Sequence, residues 1–350
     1  MSAYRLLRPI LFRLDPERVH DLTLRMLGLA GRAPIMPSAL RRRFCYERPS
    51  LAVRIFGIDF PNPLGLAAGY DKDGRAMQGL ACLGFGHLEI GTVTVLPQAG
   101  NPKPRIFRLA PDEAIINRMG FPNRGAAALL RRLRGSKPQG VILGVNIGKG
   151  QQTPLERAAE DYVALLAQFY AHVDYVAVNV SSPNTIGLRR LQARAQLEDL
   201  LKRLEEQRDG LYRASGRRMP ILVKLSPDLQ HQELEDALAA ITATGMDGVI
   251  ATNTTVDRAG LLSPQGCEEG GLSGAPLRSR ATAMVADIHR LAGGSLPIVA
   301  AGGVLSLEDA CEKLDAGAAL VQLYSGLVYR GPGLVREILQ GLAQRNLTRR

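Results

Sequence analysis

Three short segments of this chain concentrate side-chain amides and hydroxyls: NRMGFPN at 117–123, NVSSPNT at 179–185 and TNTT at 252–255. Asn117, Asn123, Asn179, Asn184 and Asn253 each offer a donor and an acceptor, and Ser182 and Thr254 add hydroxyls. Amides of this kind can read a flat heterocycle whose edge alternates N–H and C=O. A single Asn is an ordinary turn residue, but three such loops converging on one place exceed that expectation. Two lysines join the set. Lys224 stands inside the apolar run ILVKL at 221–225, where a buried ammonium needs a partner that a bound anion would supply. Lys72, in GLAAGYDKDG at 65–74, either holds an anionic substrate group or is a solvated turn residue. Gly302-Gly303 and Ser325-Gly326 precede helical stretches. Alone, each pair reads as a turn; together, their backbone N–H groups suit a phosphate.

What is missing narrows the chemistry. The candidate residues include no carboxylate pair, which argues against glycosidase chemistry. No His falls at a strand end, which argues against a His-based triad. No metal is expected, because no Asp/Glu/His cluster suits one. Cys45, Cys82, Cys267 and Cys311 lie far apart without a C-x-x-C pair, so zinc and iron–sulfur ligation have no support. A site poor in acids and bases but rich in amides is one where a cofactor supplies the reaction.

These residues need elements to position them. From residue 60 onward, apolar runs alternate with helical stretches. Eight strands are predicted, at 64–67, 86–93, 141–147, 173–180, 221–225, 247–252, 297–301 and 319–324. Helices are clearest at 155–171, 191–209, 231–244, 278–292 and 306–316. A doubly wound open sheet gives the same alternation. Polar residues nevertheless recur at the strand ends: Lys72, Thr92, Asn146, Asn179, Lys224, Thr252-Asn253, Gly302-Gly303 and Tyr324-Ser325. In an α/β (β/α)8 TIM barrel these converge on one mouth, where active sites are built, and this favours the barrel. The alternating run 51–60 predicts a short antiparallel ribbon ahead of it.

The 350 residues are 46% hydrophobic and 22% charged, enough for a large core. No run of eighteen apolar residues occurs, so a spanning helix is not expected. A secretory signal is not expected either, and reduced cysteines fit the cytosol. The net charge of +11 raises nucleic acid or an anionic membrane as partners. Residues 1–50 hold ten Arg, no Lys and four acidic residues, so over half the excess is local and the nucleic-acid reading weakens. This segment predicts two helices, at 3–13 and from Asp15-Pro16 to about Gly31, with Asp15 as N-cap and Gly31 as the residue past the end. Pro34, Pro37 and Arg41-Arg42-Arg43 look like a linker. Val19, Leu22, Met26 and Leu29 share a face, which suits either a membrane interface or packing on the main domain.

The chain resembles the dihydroorotate dehydrogenases along nearly its whole length. GLAAGYDKDG, IGTVTVLPQAGNPKPRIFRL at 90–109, NRMGFPN, GVNIGKG at 144–150 and NVSSPNT carry the likeness. LVKLSPD at 222–228, ATNTT at 251–255, GGLSGAPL at 270–277, AAGGV at 300–304 and QLYSG at 322–326 continue it in order. Two features resemble the class 2, membrane-associated branch: the extension with LFRLDPERVHDL at 11–22, and Ser182 where class 1 carries a catalytic Cys.

The resemblance implies oxidation of dihydroorotate to orotate in pyrimidine biosynthesis. It implies one FMN per chain and ubiquinone or menaquinone as acceptor. Ser182 is then the catalytic base, with Thr185 as a candidate proton relay. Lys72, Asn117, Arg118, Met119, Gly120, Phe121, Asn179, Asn184, Asn253 and Thr254 would bind substrate. Ala68, Gly69, Tyr70, Asp71, Lys72, Thr92, Asn146, Asn179, Lys224, Thr252, Gly274, Gly303, Tyr324 and Ser325 would bind FMN, and Arg108 and Tyr324 would line a quinone tunnel. Residues 1–45 would be a membrane and quinone-access segment and 46–350 the FMN barrel. The enzyme would sit peripherally on the cytoplasmic face of the inner membrane, with no nucleic acid and no required protein partner. Two positions depart from the family pattern: Pro122 replaces an Asn, and Tyr70 stands where Leu is usual. The rival readings are a class 1-like enzyme with a soluble acceptor and another FMN barrel, such as a tRNA dihydrouridine synthase.

Overall fold

Period-two alternation decides the architecture. In Ile221–Leu225, Leu222 and Lys224 face one way and Ile221, Val223 and Leu225 the other, and all five are buried. A strand buried on both faces belongs in a parallel barrel wrapped by helices. The computed structural model, which describes residues 3–135, 137–185 and 187–348, has that form. An antiparallel ribbon comes first, β1 (Val53–Ile55) with β2 (Ile58–Phe60). The closed parallel barrel contains β3 (Leu64–Leu66), β4 (His87–Val93), β7 (Ile142–Ile147), β8 (Tyr175–Asn179), β9 (Ile221–Leu225), β10 (Gly248–Ala251), β12 (Ile298–Ala301) and β13 (Leu320–Leu323). Every predicted barrel strand is present. A second sheet, in which β6 (Ala114–Asn117) pairs antiparallel with both β5 (Ile106–Leu109) and β11 (Gly271–Gly274), was not expected.

Helices alternate with the barrel strands: α4 (Met77–Ala81), α5 (Ala126–Gly135), α6 (Ala158–Phe169), α7 (Arg194–Ser215), α8 (His231–Ala243), α9 (Arg278–Leu291), α10 (Leu307–Asp315), α11 (Ser325–Arg330) and α12 (Gly333–Thr348). The strands' outward residues, such as Val176, Val223 and Val321, join one core with the helices. The inward residues are stacked in levels. Phe60 of the ribbon closes the N-terminal end, packed with Leu222, Ile250 and Leu320 and edge-on to His87. The next level is polar and holds Tyr175, Glu89, Gln322 and Lys224, joined through Glu89. Two glycines make room for the rings. A Cβ on Gly65 would lie 2.0 Å from His87 Nε2, and one on Gly144 2.1 Å from Tyr175 Cζ.

The N-terminal segment forms α1 (Ala3–Arg13), α2 (Pro16–Ala30) and α3 (Met36–Phe44). Asp15 caps α2 as expected, accepting the Arg18 N–H at 2.8 Å. One expectation is corrected here, and a second, Gly31 just past the end of α2, holds for a different reason. The stretch read as a linker is α3, because Pro37 sits in its first turn, where no N–H is needed. Gly31 is right-handed at φ −67°, and its constraint is contact instead: a Cβ would lie 2.3 Å from the Gly79 N. Helix α2 crosses α4 at these glycines. It is pinned by Glu17 to Arg105 at 2.8 Å and by Asp21 to Arg75. Outward, Leu6, Leu7, Ile10, Leu22, Met26 and Leu29 remain exposed. The pair therefore packs on the barrel and also presents an apolar surface. Among the described residues, no helix is long and apolar enough to cross a membrane.

Candidate active site

Strand ends and their loops line a cavity at the barrel mouth, with about 980 Å³ of empty space that opens to solvent. Asn179, ending β8, ties its amides together. Its Nδ2 donates to Thr92 Oγ1 at 3.0 Å and Asn146 Oδ1 at 3.2 Å. Its Oδ1 accepts from Asn253 Nδ2 at 3.2 Å. Asn253 also donates to Ser181 Oγ at 3.0 Å, and Asn184 Nδ2 donates to Asn117 Oδ1 at 3.2 Å. The three loops singled out by composition are thus cross-linked before any ligand arrives. Such preorganisation fixes where each donor and acceptor points. Asn123 plays a different part, since its side-chain Oδ1 accepts the Gly125 N–H two residues on, at 2.8 Å.

Ser182 is buried on the cavity wall, its Oγ accepting the Asn184 N–H at 3.3 Å. Three residues on, the buried Thr185 hydroxyl has no hydrogen-bond partner among the described residues. Phe121 lines the same wall in the left-handed region, at φ +53°. Lys72 donates to the Gly69 carbonyl at 2.8 Å. Burial first, and then the Arg105 charge, push its ammonium down to about 8. Lys224 reaches the cavity from below. The expected partner was a bound anion; the structure supplies one within the protein, Glu89, whose Oε1 lies 3.9 Å from the ammonium.

Most of the residues named from sequence line this cavity: Ala68, Gly69, Lys72, Thr92, Asn117, Met119, Gly120, Phe121, Asn179, Ser182, Asn184, Lys224, Thr252, Asn253, Thr254, Gly274, Gly303, Tyr324 and Ser325. Four lie elsewhere. Arg118 points away, bonded to Glu268 at 2.7 Å and stacked on Phe107. The Asp71 carboxylate accepts the Arg75 and Ala76 N–H groups at the start of α4. Asn146 lies one level down, holding Thr92 and Asn179. Tyr70 belongs to a neighbouring cavity. Sequence reasoning passed over Gln322, Ser273 and Leu277 in the wall. Gln322 was findable, as a polar residue at an inward position of an apolar strand.

The mouth has a glycine-lined end. Gly274 and Gly303 have φ +101° and +72°, and Cβ atoms there would lie 2.2 Å from Glu113 O and 2.3 Å from Arg278 Cα. Ser273 and Ser325 share a hydroxyl contact of 2.9 Å beside them. The far end offers amides, Lys224 and a buried Gln322 Oε1 that lacks a partner among the described residues. Backbone N–H and hydroxyls at one end, with amides and a cation at the other, fit a flat heterocycle carrying a phosphate tail.

The neighbouring cavity, about 1200 Å³, lies between the N-terminal helices and the barrel. Leu11, Phe12, Val19, Leu27, Phe44, Ile106 and Val328 make it mostly apolar. Arg108 donates to the Leu11 carbonyl at 2.9 Å and to the Leu14 carbonyl, and stacks on Phe12 at 4.7 Å. His20 meets Tyr70 edge-on at 4.9 Å, and Tyr70 meets Tyr324 at 5.6 Å. Burial, and then the Lys72 charge, push the His20 imidazole down to about 4, so it is neutral near pH 7. Asn117, Met119 and Tyr324 line both cavities.

The fold and site define a (β/α)8 barrel with a cofactor-sized polar mouth and an added apolar antechamber. Residues 50–345 match the family described as Dihydroorotate dehydrogenase. A Roseiflexus protein named Dihydroorotate dehydrogenase (quinone) is 51% identical over 98% of this chain and 94% of its own. One of the same name from Chromobacterium violaceum is 52% identical over 97% and 98%. The crystal structure of Eimeria tenella DHODH in complex with ferulenol superposes with a TM-score of 0.86 at 35% identity, covering 96% of this chain and 95% of that one. The chain belongs to the dihydroorotate dehydrogenase family.

Proposed function

We infer that this family member oxidises dihydroorotate to orotate, with FMN in the barrel mouth and a membrane quinone as final acceptor, in de novo pyrimidine biosynthesis. The observation that carries the reading is the pair of cavities, one polar and one apolar, sharing Asn117, Met119 and Tyr324 as a wall. Polar substrate and lipid quinone then never compete for one pocket, and the two half-reactions alternate.

Gly274, Gly303 and Ser325 would hold the phosphate of FMN, and Thr92, Asn179, Lys224 and Thr252 its ring system. When bound, FMN accepts two electrons from the substrate and delivers them to the quinone. The remaining work belongs to the chain. Asn117, Asn184 and Asn253 present amide edges to the substrate's ring, and Lys72 pairs with its carboxylate. Ser182 Oγ takes the proton from the substrate's C5. A serine is a weak base, so the proton must move on. The unpartnered Thr185 side chain is the next hydroxyl along that loop. Phe121 shields the transfer from water.

The apolar antechamber receives the quinone, with Arg108 and Tyr324 on its wall. The exposed Leu6, Leu7, Ile10, Leu22, Met26 and Leu29 lie among the arginines of α1 and α2, and they seat these helices in the membrane interface. An anaerobic titration tests the whole reading. Dihydroorotate should bleach the purified yellow protein, and a ubiquinone analogue should restore the colour. Recovery on fumarate alone removes the quinone assignment. Failure to bleach removes the substrate.

A further inference from the structure

Beneath the polar cavity, Glu89 is completely buried on the inward face of β4. Its carboxylate is well supplied with neutral donors. Oε1 accepts from Asn146 Nδ2 at 2.9 Å, and Oε2 accepts from Gln322 Nε2 at 2.8 Å and the Tyr175 hydroxyl at 3.2 Å. The Lys224 ammonium stands 3.9 Å from Oε1, and its side chain is only 7% exposed. Glu89 itself does not line the cavity, whereas Lys224 does. The carboxylate therefore faces the cavity only through the side chains it holds, Lys224 and Gln322.

A lone ammonium buried at this depth is costly, and burial favours its neutral form. In Lys224, burial lowers the proton affinity, and the Glu89 charge opposes that effect. The other titratable groups of the shaft stay neutral. Burial pushes the Tyr175 phenol well up and the His87 imidazole down to about 3. Of the flanking strands, β8 brings Asn179 beside Lys224 and β10 brings only Ile250. Lys72 faces the same cavity from the loop after β3. Among the described residues, Glu89 is the one charged group within ion-pair range of Lys224.

We propose that Glu89 is a positioning residue for the redox cofactor: it keeps Lys224 charged in both redox states and so sets how many protons enter the site on reduction. The proposal rests on the FMN reading above. With Glu89 present, two-electron reduction would draw one proton from solvent, and Lys224 would take none. Without it, Lys224 starts neutral, and the negative charge gained on reduction draws a second proton from solvent onto Nζ.

The test is the midpoint potential of bound FMN, measured from about pH 6 to about pH 9 in wild type, Glu89→Gln and the double variant Glu89→Gln/Lys224→Met. Glu89→Gln should double the slope of potential against pH, from one proton per two electrons to two. The double variant should return to one. An unchanged slope in Glu89→Gln overturns the proposal, as does a doubled slope that survives in the double variant. If Glu89→Gln does not retain flavin, Glu89→Asp takes its place; the shorter carboxylate should keep the wild-type slope, and a doubled slope there overturns the proposal. Failure of the FMN reading is distinguishable, because the wild-type protein would then neither carry nor rebind flavin.

Discussion

The cavity at the barrel mouth is made by strand ends, and the one beside it by helices laid on a finished barrel. In the first, the strand-end residues are fixed by a parallel ladder and by amides that bond to each other, as Asn179 does with Thr92, Asn146 and Asn253. In the second, the outer wall is α1 and α2, held by a few ion pairs and by Arg108 gripping the turn between them. A preorganised polar site suits chemistry that tolerates little displacement. A wall attached at a few points suits a long apolar substrate that must enter from the side. The difference teaches that the two half-reactions are separable by mutation, and the predictions follow from that separation.

The largest effect is expected at Ser182. Ser182→Ala should slow flavin reduction by dihydroorotate by about two to four orders of magnitude, the usual worth of a positioned general base. Stopped-flow absorbance reads this directly. Reoxidation by quinone should be unchanged, and a parallel loss in both half-reactions would break the separation. The converse variant is Arg108→Leu. It removes charge-assisted hydrogen bonds to the Leu11 and Leu14 carbonyls, each worth about 1.5–3 kcal/mol when well buried and less at this half-exposed site. Quinone reoxidation should fall about tenfold, while dihydroorotate reduction stays within about twofold of wild type.

The two regions also differ in how far the sequence disclosed them. The eight barrel strands were legible because burial on both faces writes an apolar run of fixed length, and the polar strand ends then pointed to the mouth. Lys224 stood out as a charge inside ILVKL. Glu89 inside HLEIGTV carries the same signal, but it is mid-strand, away from the polar strand ends that mark the mouth. The sheet of β5, β6 and β11 is only half local: β5 and β6 are a hairpin, but β11 joins it across more than 150 residues, as with Asn117 opposite Gly271, and nothing local announces that pairing. Arg118 was carried into the site by its neighbours, but just past the end of β6 its side chain turns away to Glu268 and the Phe107 ring. The antechamber was least legible. His20 and Tyr70 meet only because α2 crosses α4 at Gly31 and Gly79, a contact set by tertiary packing.

The smallest effect tests whether that added wall is energetically its own unit. Asp15 caps α2 through the Arg18 N–H at 2.8 Å, and nothing in the barrel depends on that bond. Asp15→Ala should cost about 1 kcal/mol, the usual worth of such a cap. If α2 opens by itself, the cost falls on its opening equilibrium. Its amides should then exchange about fivefold faster, while those of β4, β7 and β8 keep their protection. Hydrogen exchange read by mass spectrometry on peptides from both regions separates the cases. Equal acceleration in strands and helix would mean that wall and barrel unfold together. The apolar chamber would then be as rigid as the polar one, and its openness to a lipid substrate would have to come from somewhere other than α2.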